Sequence, residues 1–359
     1  MWTINNDTPF QAKGAIRLDP ITSRTVWLVA IKATFDICDD HTLTLSRHPI
    51  EVLDTPVYRG KEGSRSLIYD SDLMGLKPRI DIILNASAYQ PNNIAGTELE
   101  VGFFIDHWGK TLRIVGNRLW DRFLGTMVKT YAQPFTQKPI VYELAYGGID
   151  EKAKPERQNH YHNPVGTGYA VKKSRLTGKY LPNIEYTDWP TKSGFKRNRC
   201  AGFGAIPNHW KPRIDYAGSY DKDWQESRSP YFPSDFNPLF FQSAPTDQQY
   251  DMLLGGEKVT LIHLMPEKSD YHFYIPRLRF ELSTRFNSSL KRHKAEIKTL
   301  IIEPDDRRLI LVWQSQLDCH GKDYQPKETT IQAKTEDLAL LAAIQRHQQH
   351  DAPSDEIEN

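Results

Sequence analysis

Thr25-Val26-Trp27-Leu28-Val29-Ala30-Ile31-Lys32-Ala33-Thr34-Phe35 is a run of β-branched, aromatic and aliphatic residues that is apolar on both alternating faces. A strand with one wet face alternates apolar and polar residues, whereas one covered on both sides reads as nearly continuous apolar sequence. The stretch therefore predicts a central, doubly covered strand. Working outward, Asp39-Asp40-His41 reads as a turn and Thr42-Leu43-Thr44-Leu45 as a short return strand. Residues 79–89 place Ile80, Ile82, Leu84, Ala86 and Ala88 on one face, and residues 98–105 do the same with Leu99, Val101, Phe103 and Ile105. Trp108-Gly109-Lys110 is the expected hairpin tip, with 111–115 as the partner strand, so the N-terminal part reads as an antiparallel meander. Residues 258–265 and 272–282 read as later strands, and 299–303 pairs with 307–313 across Pro304-Asp305-Asp306.

The fold expected is mainly β, with antiparallel curved sheets in a sandwich-like arrangement. A β-rich body spans 1–333, divided into a meander (about 9–145), an irregular loop layer (about 146–255) and C-terminal strands (about 256–333). A C-terminal helix is predicted over 334–348, with Thr335 as N-cap, Glu336 and Asp337 in the first turn and Arg346 and His347 in the last. Leu338, Leu341 and Ile344 form its expected buried stripe, with Leu340 beside it. The acidic residues 349–359 read as a flexible tail.

The loop layer has neither helical nor strand periodicity. It is dense in Pro, Gly, Asn and aromatic residues, including Trp189, Trp210 and Trp224. Long structureless loops are uncommon inside compact domains, and disordered segments are poor in aromatics. An ordered layer packed back onto the sheets is the expectation. Its focus is the stretch from Tyr142 to Gly168, where Glu143 and Tyr146 precede Gly147-Gly148 and Asn163-Pro164-Val165-Gly166-Thr167-Gly168 closes the segment. Such glycines supply positive φ and sharp reversals, and loops held on a rigid scaffold are where recognition tends to sit.

Charge is balanced, with 46 Lys and Arg against 45 Asp and Glu in 359 residues, which disfavours a polyanion as partner of the whole surface. Three widely spaced cysteines fit a reducing cytosol better than a disulfide framework. With no basic-then-apolar leader and no membrane-length apolar run, a soluble, cytoplasmic protein is expected. One local excess stands out. Between Ala170 and Arg213 lie ten basic residues, among them Lys196, Arg197 and Arg199, against Glu185 and Asp188. Aromatics interleave with them, the pattern of a nucleic-acid surface or of a face for an acidic protein. The balanced total puts nucleic acid last.

Motifs for catalysis are missing: there is no Gly-x-Ser-x-Gly, His-Glu-x-x-His or phosphate-binding glycine loop. His160-x-His162 with Asp150 is a weak metal pattern, and no metal or cofactor is assigned. Glu143, Asp221, Asp235 and Glu257 among aromatics leave a carbohydrate-active or carbohydrate-binding β protein as the alternative reading. A nucleic-acid-binding module is the third.

The scattered motifs, taken in order, resemble one family. They are Val29–Phe35, Ser71-Asp72 before Lys77-Pro78-Arg79, Gly116-Asn117-Arg118 with Trp120, and the Tyr142–Gly148 and Asn163–Tyr169 strings. Leu181-Pro182-Asn183-Ile184-Glu185, Gly202-Phe203-Gly204, Trp210, Ala217–Asp221 with Trp224, and Asp235-Phe236-Asn237 continue the series. Gln242–Gln248, with Asp247, and Leu254-Gly255-Gly256-Glu257 complete it. The resemblance is to a domain family encoded beside toxin genes in type VI secretion clusters, whose members act as effector adaptors or chaperones. It implies a cytoplasmic protein that binds a toxic effector and delivers it to the secretion spike protein or its tip, without catalytic residues. Tyr146, Gly147, Gly148, Asn163, Trp189, Lys196, Arg197, Arg199, Trp210 and Trp224 are the candidate partner-binding residues. Glu143, Pro164, Gly166, Gly168, Asn183, Gly202, Gly204, Asp221, Asp247, Gly255, Gly256 and Glu257 are the expected scaffold of the loops.

Overall fold

The computed structural model describes residues 2–191, 198–319 and 325–350. Fifteen strands form its two principal sheets. In chain order they are β1 (Thr3–Asn6), β2 (Gln11–Leu18), β3 (Thr25–Ile37), β4 (Leu43–Leu45), β5 (Ile80–Leu84), β6 (Glu98–Ile105), β7 (Trp108–Val115) and β8 (Ile184–Tyr186). These are followed by β9 (Gln249–Tyr250), β10 (Lys258–Met265), β11 (Lys268–Tyr274), β12 (Leu278–Arg285), β13 (Leu290–Glu303), β14 (Arg308–Asp318) and β15 (Glu328–Thr335).

The ten-stranded sheet runs β1-β15-β12-β13-β14-β3-β2, with β4 on β3, β5 on β13 and β9 on β5. It curls until its two edge strands, β1 and β2, are sequence neighbours lying side by side, a nearly closed barrel. The five-stranded sheet runs β8-β7-β6-β10-β11 and is antiparallel throughout.

β3 lies where its sequence demands. Trp27, Val29, Ile31, Ala33 and Phe35 point into the main core shared by the two sheets, while Leu28 and Ala30 point to a second apolar cluster on the opposite face. Both faces are covered, so both alternate positions had to be apolar.

The mainly β, curved-sheet expectation is thus met, while several local expectations are corrected. The strands read as an N-terminal meander are shared between sheets: β3 pairs with β14, almost three hundred residues later in the chain. β1 with β15 and β5 with β13 are parallel ladders. The β6–β7 hairpin turns at Asp106-His107, with Asp106 at φ 52°, and not at Trp108-Gly109-Lys110, because Trp108 already pairs with Ile105. Gly109 serves a close approach instead, since a Cβ there would lie 2.8 Å from Phe104 Cα. The expected 272–282 strand is cut at Ile275-Pro276-Arg277 and feeds both sheets.

The short helix α1 (Lys222–Ser227) lies in the loop layer, and the C-terminal helix α2 spans Leu338–His350. The cap of α2 is Asp337, whose Oδ1 accepts from the N–H groups of Ala339 and Leu340 at 2.9 and 3.2 Å. Thr335 instead ends β15 and donates to the Arg277 carbonyl. Leu340 and Ile344 make the buried stripe; Leu338 and Leu341 face solvent. Residues 351–359 of the expected tail lie outside the described residues. No helix among the described residues is long and apolar enough to cross a membrane.

Candidate partner interface

The Tyr142–Gly168 stretch folds as two interlocked turns. Tyr146-Gly147 and Thr167-Gly168 form a two-residue parallel ladder. Asn163 is fully buried behind it, its Nδ2 donating to the carbonyls of Tyr142 and Tyr146 at 2.7 and 3.2 Å. Its own carbonyl accepts from the Gly148 N–H at 2.8 Å. Gly148 has φ 104°, and any Cβ at Gly147 or Gly148 would run into the backbone oxygens of Asn163 or Gly166. Residues without a β-ladder must satisfy their peptide groups by other means, and here a buried carboxamide does it.

The same solution recurs along a polar seam beneath the loops. Asp81, on β5, is fully buried and accepts from Lys77 Nζ (2.7 Å), Gln242 Nε2 (2.7 Å), the Ser243 N–H (2.8 Å) and Oγ (3.0 Å), and the Ala244 N–H (3.0 Å). Gln248 Nε2 donates to the carbonyls of Ile82 and Phe203. Its Oε1 accepts from Lys110, which also reaches the Gly202 carbonyl and Asp247, all at 2.8 Å. Burial lowers the Lys110 pKa against the pull of Asp247. Burial lifts the neighbouring Cys200 thiol to about 12, opposed by Lys110 and by a hydrogen bond with Asn163, so the thiol is held protonated. Asn163, Cys200, Lys110, Gln248 and Asp81 thus form one polar line from the loop crossing to the large sheet.

The candidate residues divide along this seam. Tyr146, Gly147, Gly148, Asn163 and Trp210 are buried, so in this fold they are packing and bonding residues and not surface anchors. Burial raises the Tyr146 pKa to about 12. Trp224 is half-buried in a capped turn: Asp221 accepts from its N–H, and its Nε1 donates to the Tyr231 carbonyl. Trp189 is half-buried and Arg199 exposed. Lys196 and Arg197 lie outside the described residues.

The scaffold residues are tied in as follows. Glu143 accepts from the Ser66 N–H and Oγ. Asn183 donates to Val115, and Glu257 accepts from the Leu254 and Gly255 N–H groups. Asp247 holds Lys110. Gly202 lies against the Tyr142 ring, and the Gly204 carbonyl accepts from the Tyr142 hydroxyl. Gly168, Gly255 and Gly256 have φ 88°, 87° and 96°. Gly166 packs on Asn163, and Pro164 is half-buried beside it.

The basic run does not make one surface. Arg213 is buried against Asp70 at 2.9 Å, Arg175 pairs with Asp150 at 2.9 Å, and Lys211 pairs with Asp215 at 3.0 Å. The four acids of the carbohydrate alternative act locally: Glu143, Asp221 and Glu257 as above, and Asp235 on the Ser219 N–H and Oγ, bonds that lower its pKa. His160 sits between Tyr146 and Tyr169, and burial, then His162, lowers its pKa to about 4. Asp150 is engaged by Arg175 and the Val171 N–H. No group of three or more His, Cys, Asp or Glu side chains among the described residues is placed to hold a metal ion.

What reaches the surface together is a cluster at the end of β8. The Arg199 guanidinium lies 5.4 Å from the Trp189 ring centroid and 5.8 Å from that of Tyr186, and the Tyr186 ring lies 5.2 Å from Lys110 Nζ. Trp, Tyr and Arg are the types that dominate binding energy at protein interfaces, and Arg on an aromatic face adds a cation–π term. The buried seam fixes this cluster from below.

Sequence reasoning gave no role to Asp81, placed Lys110 only in a hairpin tip, and counted Tyr186 only among the aromatics interleaved with the basic run. Lys110 carried a signal: it shares strand parity with Leu112 and Ile114, so a lysine on that face had to be buried and paired. A model of the family described as an uncharacterized protein conserved in bacteria (DUF2169) matches residues 22–314. No curated protein and no solved structure matches.

Proposed function

We propose a role for this chain from the premise that it belongs to DUF2169, the uncharacterized family conserved in bacteria. The role is that of a non-enzymatic adaptor or chaperone that binds a toxic effector and hands it to the type VI secretion spike protein or its tip. The observation that carries it is the Arg199–Trp189–Tyr186 cluster, an exposed arginine over two half-buried aromatic rings, anchored on a buried polar seam. Anchors already fixed in place lose little side-chain freedom on binding, and that raises the affinity obtained from a given contact area. The order of family-like motifs from Val29 to Glu257 supplies the biological direction.

The test is co-expression with the product of each neighbouring toxin or spike gene, followed by size-exclusion chromatography. A stable complex is expected with one of them, and Trp189→Ala with Arg199→Glu should weaken it at least tenfold. Failure to form a complex with any neighbouring product would remove the adaptor role. A complex untouched by the double variant would move the contact elsewhere.

A further inference from the structure

The large sheet is forked. Along one edge of β13, residues 290–295 pair with β12 and Thr299–Ile302 pair with β5, whereas among the described residues no strand lies beside Glu296, Ile297 and Lys298 on that edge. On the opposite edge the ladder with β14 carries a register shift between Ile297 and Thr299 of β13. Beyond Phe280, β12 diverges and pairs only with β15.

A groove of about 1000 Å³ opens in the fork. Buried Ile80, Leu253, Leu278, Phe280, Ile297 and Trp313 form its floor. Met252 and Leu254, 63% and 62% exposed, stand on its lip, and Glu257 braces that lip through the Leu254 and Gly255 N–H groups.

The charges around the groove are not balanced. Lys334 pairs with Glu281, Lys298 with Glu296, and Arg79 with Asp251. Arg277, Arg279 and Lys294 also line it, all exposed; Arg277 and Arg279 make no ion pair among the described residues, Lys294 stands across the ladder from Glu281, which Lys334 already holds, and Glu336 is the one further carboxylate of the lining.

We propose that this fork receives an extended acidic-and-apolar segment of a partner protein, added as a short strand along β13. Three chemistries converge on that occupant. Unpaired peptide groups on a sheet edge take a strand, as in β-addition recognition. The apolar floor takes alternate side chains of such a strand. The surplus cations, Arg277 and Arg279 with Lys294 beside them, take carboxylates from the others. The inference rests on the adaptor reading for the occupant being a partner's segment, and its groove chemistry is tested separately.

The probe is a fluorescein-labelled octapeptide of alternating Val and Glu, titrated by anisotropy into the full-length chain. Its Val–Lys counterpart and a form with alternate amides N-methylated are the controls. The acidic peptide should bind, the basic one should not, and N-methylation should abolish binding because it removes the ladder donors. Arg279→Glu with Lys294→Glu, checked by circular dichroism for an unchanged fold, should weaken binding at least tenfold. Lack of binding by the acidic peptide would overturn the proposal, and so would equal binding of the methylated form or of the double variant. If the groove fails these tests while the co-expressed complex forms, the adaptor reading stands without it. Peptide binding without any complex would instead leave the groove and remove the adaptor role.

Discussion

The large sheet and the loop layer solve the same problem with opposite chemistry. In β3 and β14 a continuous ladder satisfies the peptide groups along their shared edge, leaving side chains free to be Trp, Leu, Val, Ile and Phe. In the loops around Asn163 and Gln242–Gln248 there is almost no ladder, so carboxamides, a carboxylate and a lysine are buried to do that bonding. The difference teaches how the loop motifs should be read: conspicuous Asn, Asp, Gln and Gly residues are the loops' substitute for secondary structure. On the adaptor reading, the residues that meet a partner are the less conspicuous ones they hold up.

The strongest way to break this comparison is at Asp81, where sheet and loops join. Asp81→Ala leaves the Lys77 ammonium buried and strips four further donors, so a loss on the order of 3–5 kcal/mol is expected in urea unfolding. A loss below about 1 kcal/mol would mean that the seam does not hold the layer. Gly148→Val comes next, at roughly 1–3 kcal/mol for backbone strain, with steric conflict against the Gly166 carbonyl in addition. Amide exchange should then rise over residues 142–169 while β3 and β14 stay protected. A uniform rise would show that the two regions unfold as one.

Acid should act on both regions. Burial lowers the pKa of His160 in the loops and of His293 in the large sheet to about 4. His293 there meets Ser315 Oγ at 2.6 Å and Thr284 Oγ1 at 2.9 Å. The unfolded chain takes up these protons near the ordinary histidine value of about 6.5, before the folded chain does. Stability is therefore full above that value and is lost as pH falls from about 6.5 toward 4. Melting at pH 7 and pH 5 checks the sign, and His160→Gln should shrink the difference without abolishing it. The smallest expected effect on stability is that of Arg199→Ala, within about 0.5 kcal/mol. On the adaptor reading its consequence is for partner binding, so a large drop in melting temperature would reassign Arg199 to the scaffold.

The strand content was legible because period-two patterning is a local property, and β3, β6 and the β13–β14 turn were found from it. Pairing partners are not local: nothing within Ile80–Leu84 says that its neighbour is a parallel strand near residue 300. Glycine misled at Gly109, where the requirement is cross-strand proximity and the turn belongs to Asp106. The helix cap slipped from Thr335 to Asp337 because both residue types cap well and only the end of β15 decides between them. In the loop layer, sequence could not distinguish Trp210, 1% exposed, from the half-buried Trp189, since both stand in equally irregular stretches.

The pairing of β3 with β14 also sets a timetable for biosynthesis. The most apolar strand of the barrel leaves the ribosome some 280 residues before the strand that covers its edge. At typical elongation rates of ~5–20 residues per second, that leaves it waiting for roughly 15–60 s. β2, translated just ahead of it, is the one long neighbour on hand to shield it during that interval. Nascent chains stalled before residue 308 should therefore recruit holding chaperones, and those stalled well beyond residue 318 should release them.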